Sequence, residues 1–208
     1  MFSPPPGFED LLSDAEDCPP DGPLLKLDVP SVCTLLARKP SPQGAAALAM
    51  SVSSTIPDAD RAAYLVRFVS DHLGDGELER VYVGMMTESY PADSIELIAR
   101  AVATWGTARP YTAVVTLAVA TGYHWRVIRQ KLLLAGVADP FSVRSLHALL
   151  DVTEQLIVEN ISNGKDAERE YRSLNARLYG PDSTGGTPHG FSPDEVEDAF
   201  DAFARAAR

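Results

Sequence analysis

Apolar side chains recur at helical spacing through most of this chain, and Pro, Gly and capping residues cut the pattern into short lengths. From Asp58, which can cap a helix, Ala62, Leu65, Val66, Val69 and Leu73 follow the 3.6-residue period, and Gly74 stands where a left-handed C-terminal cap is wanted. Asp75 can cap a helix carrying Leu78, Val81, Tyr82, Met85 and Met86. A further one starts at Asp93 or Ser94, buries Ile95, Ile98, Val102 and Trp105, and stops at Gly106. Residues 112–135 read as helix in two pieces around Thr121-Gly122. Ser142 opens the longest amphipathic stripe, Val143, Leu146, Leu150, Ile157 and Ile161, widened by Leu149 and Leu156 and ended by Asn163-Gly164. Asp166 to Tyr179 is a charged helix with Tyr171, Leu174 and Leu178 on one side. Upstream, Pro30 opens a turn of helix through Leu35 and Ala37, and Ser41-Pro42 leads into the Ala-rich run of residues 44–52. No run alternates at period two, so the expected fold class is all-α.

Charge divides the chain further. Residues 1–23 hold six acids (Glu9, Asp10, Asp14, Glu16, Asp17 and Asp21) and no base, within a total of 18 Lys and Arg against 29 Asp and Glu. A Pro-rich acidic segment buries too little apolar surface to offset its ordering entropy, so 1–23 is expected to be a disordered tail with a few apolar teeth, Phe8, Leu11 and Leu12. The expected organisation is that tail, helical modules at 24–110 and 111–180, then a flexible linker and terminal amphipathic helix over 181–208. Ser192-Pro193-Asp194-Glu195 combines an N-cap, proline at the first helical position and a capping box. Val196, Phe200 and Phe203 then share a face, with Phe191 placed to staple back onto it.

The net charge of −11 and a pI near 4.7 speak against nucleic-acid and membrane partners. Arg126, Arg129 and Lys131 are the one local basic cluster. Neither a phosphate-binding Gly-rich loop, a G-x-S-x-G elbow nor an H-E-x-x-H pair occurs. His72, His124, His147 and His189 lack ligand spacing. His147 lies one turn from Asp151 and two from Glu154, where a carboxylate–histidine site competes with an ordinary helix-face ion pair. Cys18 and Cys33 are expected to be plain thiols in a reduced compartment. Catalytic residues, metal and cofactors are all expected to be none. Met85-Met86 offers either an adaptable binding surface or core filling.

Several stretches resemble one family in their order along the chain. These are RAAYLVRFVSDHL at 61–73, Glu77-Leu78-Glu79-Arg80, Met85-Met86, residues 99–110 from Ala99-Arg100 to Arg109-Pro110, residues 125–160 from Trp125-Arg126 through Leu146-His147 to Asp151 and beyond, and the close from Gly190-Phe191 to Ala202-Phe203. Together they resemble the tail assembly chaperones of long-tailed actinobacterial phages, in the extended, frameshift-type form. The resemblance implies a non-enzymatic protein of the host cytoplasm, absent from the mature virion. Its implied partners are the tape measure protein, the major tail-tube subunit, and the shorter chaperone form or a second copy. Residues up to about Arg109 resemble the shared portion and the rest the extension. Candidate partner-binding residues are Leu146, Leu150 and Ile157 on the long stripe and Phe191, Val196, Phe200 and Phe203 at the end; in both places the alternative is packing within the protein's own second module. A structural tail or head–tail connector protein is the alternative reading, and a small phage regulatory protein a weaker one.

Overall fold

The computed structural model describes residues 6–16 and 22–180. In chain order the described elements are α1 (Pro6–Glu16), the strands β1 (Leu25–Asp28) and β2 (Thr34–Ala37), then α2 (Gly44–Val52), α3 (Asp58–His72), α4 (Glu77–Met86), α5 (Ser94–Ala103), α6 (Tyr111–Tyr123), α7 (Trp125–Leu134), α8 (Leu146–Ser162) and α9 (Ala167–Tyr179). A 3₁₀ turn, Pro140–Ser142, is capped by the Asp139 carboxylate, which accepts from the Phe141 amide. The fold is mostly α, as expected.

The Ala-rich helix α2 is the centre. Its buried residues run from Gly44 to Met50, because small side chains let α3 and α6 approach its two sides closely. Helix α6 is apolar almost all round, burying Val114, Val115, Leu117 and Ala118, and it meets α2, α8, α9 and α1. At one corner the His72 ring joins three segments. Its Nδ1 lies 2.7 Å from the Phe68 carbonyl, while Nε2 accepts the Ser41 amide at 3.0 Å. Only the Nδ1–H tautomer fits both partners. The Leu146 amide, donating to the Pro40 carbonyl, brings the start of α8 to the same corner. Gly44 is required there, since a Cβ would sit 2.8 Å from the His72 ring.

Three expectations are corrected. Residues 25–37 form an antiparallel hairpin, with Leu27 opposite Leu35, in place of a turn of helix. Pro30 serves the hairpin's corner, where Ser31 takes φ 69° and the Val32 amide returns to the Val29 carbonyl. Leu35 and Ala37 alternate inward, and Leu36 faces out. Second, residues 6–16 are helix, not a disordered tail; the rest of 1–23 lies outside the described residues except Gly22 and Pro23. Third, the boundary at 110/111 does not separate two cores. One continuous cluster of buried residues includes Leu48, Phe68 and Ile98 together with Val115, Trp125 and Leu149. Smaller shifts concern caps. Ser145, not Ser142, caps α8, its Oγ accepting the Ala148 amide. The left-handed residue near the start of α4 is Gly76 (φ 74°), while the Gly74 amide donates to the Leu36 carbonyl.

Candidate partner-binding surfaces

Helix α8 spends its apolar stripe on the interior. Leu146 and Leu150 are fully buried and Ile157 nearly so, so these three expected partner contacts are core residues. Packing α8 against α6 and α9 covers the stripe, and hydroxyls of Thr121 and Thr153 pair across the α6–α8 contact at 2.8 Å. Phe191, Val196, Phe200 and Phe203 lie outside the described residues.

The acidic segment α1 makes the contacts that the sequence hid. Phe8 and Leu11 are 1% and 0% exposed, held among α2, α6 and α7. The Phe8 ring meets Tyr123 edge-on, centroids 4.8 Å apart. Close approach depends on two glycines: a Cβ on Gly7 would come 2.5 Å from the Gly122 carbonyl oxygen, and one on Gly122 would come 2.7 Å from the Phe8 ring. On the flank, Asp10 pairs with Arg126, whose hydrogen bond holds the Asp10 carboxyl below its usual pKa. Asp14 accepts from the Trp125 indole at 2.6 Å and from Arg129 at 3.0 Å. Lys131 pairs with Glu159 of α8. Each member of the basic cluster thus has a carboxylate partner.

The Asp151 and Glu154 carboxylates also find a cation. Arg109 Nη2 donates to both at 2.6 Å, and its Nε donates to the Tyr179 hydroxyl at 3.3 Å. Tyr179 in turn donates to Glu154 at 2.8 Å. Burial opposes the Arg109 charge, but these three partners outweigh it and raise its pKa. The clasp joins the segment before α6 to the ends of α8 and α9. His147 turns away from these carboxylates toward the Trp105 carbonyl, 3.2 Å from Nε2, and burial lowers its pKa. The helix-face ion pair expected as the alternative gives way to a longer-range one. Among the described residues no three His, Cys, Asp or Glu side chains are grouped to hold a metal, and no helix is long and apolar enough to cross a membrane.

Two helices present apolar residues outward. On α4, Tyr82, Val83 and Met86 fall within a 100° arc, and Met86 is 84% exposed. The Met85-Met86 pair is therefore split, since Met85 packs against the core. On α7, Val127, Leu133 and Leu134 are exposed, Leu134 to 80%.

A mostly helical body without a grouped reactive centre among its described residues, carrying outward apolar helix faces, is the build of a binding protein. Residues 1–110 match the family model described as phage tail assembly chaperone protein. The chain belongs to that family. Its residues 120–208 match a second model, a family of unknown function. No curated protein and no solved structure matches the chain. The two matched stretches of this tail assembly chaperone flank the start of α6, the helix that covers α2.

Proposed function

We propose that the chain acts without catalysing a reaction, holding the tape measure protein in the host cytoplasm and bringing tail-tube subunits to it, then leaving before the tail is complete. The observation that carries this reading is the family match over residues 1–110. The α4 face gives it a physical means. A long helical polypeptide exposes apolar stripes until the tube encloses it, and Tyr82, Val83 and Met86 offer an adaptable apolar strip for such a helix. The acidic net charge of −11 keeps a loaded complex dispersed. The paired state of Arg126, Arg129 and Lys131 disfavours a DNA-binding regulator, because each cation would exchange a carboxylate for phosphate.

Coexpression with the tape measure product tests the proposal. The wild-type chain should copurify with it, Val83→Glu with Met86→Glu should lose that capture while keeping the same helical circular dichroism, and purified mature particles should lack the chain. Stoichiometric retention in particles would favour the structural tail or connector reading instead, and absence of capture would end the tape measure assignment.

A further inference from the structure

The outward arc of α7 is too apolar for a surface left open to water. At 100° per residue, Leu133, Arg126, Gln130, Leu134 and Val127 follow one another across about 120°. Leu134, Leu133 and Val127 are 80%, 60% and 47% exposed. Arg126 and Arg129 border the arc on the α1 side, and Lys131 borders it on the α8 side. The helix itself carries three cations and no acid.

We propose that this arc is the docking site of the chain's own C-terminal segment, residues 193–203, on the same molecule. Reach is the first support. Tyr179 touches Glu154 and Lys131 touches Glu159, both on α8. Five residues of rise and about one helix width place Gly180 and α7 about 10–20 Å apart. The fifteen residues 181–195 have a random-chain reach of about 5–6 Å × √15, or roughly 19–23 Å.

Charge is the second support. The segment carries Asp194, Glu195, Glu197, Asp198 and Asp201 before its first base at Arg205. The Arg126 side chain is 64% exposed despite its pair with Asp10, leaving donors for a second carboxylate. The molecule also contains its own precedent. Phe8-Glu9-Asp10-Leu11-Leu12 in α1 and Val196-Glu197-Asp198-Ala199-Phe200 share the order apolar, Glu, Asp, apolar, apolar. In α1 the Asp of that order meets Arg126 while Phe8 and Leu11 turn inward. Helix α7 already receives one such segment along one flank. Finally, the family model over residues 120–208 encloses both α7 and this segment as one unit.

The test is a photocross-link in the isolated full-length chain. Benzoylphenylalanine replacing Phe203 should link within one molecule to residues 127–134, identified by peptide mass. Leu133→Glu with Leu134→Glu should abolish that link without changing the circular dichroism, because both positions are on the surface. Dilution should leave the yield unchanged. A link between two chains, a link elsewhere on the same chain, or no link would each overturn the proposal. Because no tail protein is present, the result is independent of tape measure capture.

Discussion

Truncating Phe8 to Ala is the sharpest test of whether the acidic N-terminal segment belongs to the folded body. Phe8 is 1% exposed, its ring is edge-on to Tyr123, and Gly122 is bare of a Cβ because the ring lies over it. Removing such a ring costs about 3–5 kcal/mol when the surroundings do not collapse into the space. Two circumstances bound that figure. The α1 backbone cannot sink toward α6 to close the gap, since Gly7 already sits against the Gly122 carbonyl. But α1 can be released whole, so the cost cannot exceed the free energy that docks it. The expected loss is therefore at the lower end, about 3 kcal/mol, and accompanied by release. Trp125 reports on release directly, because its indole N–H donates to Asp14 of α1. Urea unfolding followed by tryptophan fluorescence should show a lowered midpoint and an emission change in the native baseline. A companion variant, Gly122→Ala, should also destabilise, by overpacking against the ring. In the double variant the two losses should be less than additive, since loss of the Phe8 ring makes room for the new methyl. If Phe8→Ala shifts stability by less than about 0.5 kcal/mol, the size usual for a surface substitution, with unchanged emission, α1 is not docked as part of the core.

Three further outcomes are expected. Gly84→Ala should lower stability by about 1–3 kcal/mol in thermal melts, because its Cβ would fall 2.1 Å from the Tyr90 ring while the Ser89 and Tyr90 amides both hold the Gly84 carbonyl. Arg109→Met should cost about 1–3 kcal/mol in urea unfolding, discounted for the 66% exposure of Asp151, and Arg109→Lys should not restore it because an ammonium cannot serve Asp151, Glu154 and Tyr179 in one fork. Acid should weaken the fold: burial lowers the His72 pKa below its unfolded value near 6.5, so its contribution is complete above about pH 6.5 and is lost as pH falls below it. Urea midpoints at pH 7.5 and 5.5 should differ, and the difference should shrink in His72→Gln.

Long periodic helices were legible in the sequence, and elements decided by distant partners were not. Helices α3, α5 and α9 appear close to their expected bounds because their stripes, caps and breakers are local. The hairpin escaped because each strand is four residues and Leu-Lys-Leu-Asp offers only one apolar alternation, too little to outweigh a neighbouring Pro that reads equally as a helix start. In α1 the signal was present, Phe8, Leu11 and Leu12 at i, i+3 and i+4, but six acids read as solvated. The cations that receive Asp10 and Asp14 lie over a hundred residues away. For α8 the ambiguity was intrinsic. An apolar stripe has the same spacing whether a partner or the protein's own α6 covers it, and the structure assigns Leu146, Leu150 and Ile157 to the second case. Conversely Met86, Leu133 and Leu134 looked like neighbours of core residues, and only packing shows that they point out.

The place where the two family stretches adjoin is also where the core can least be divided. Residues 1–110 supply α2, and residues from 111 onward supply α6, which lies along it. Ala45, Ala46, Leu48 and Ala49 are each buried within a helix that has α3 on one side and α6 on another. Remove α6 and one side of the most apolar helix in the first stretch faces water, with no polar residue between Gly44 and Met50 to tolerate it. Arg109 adds a second tie, since its carboxylate partners come from α8 and its hydroxyl partner from α9. In this chain, therefore, the second stretch is not an appendage carried by a finished chaperone fold. It completes that fold, and α2 requires either α6 or another apolar helix in its place.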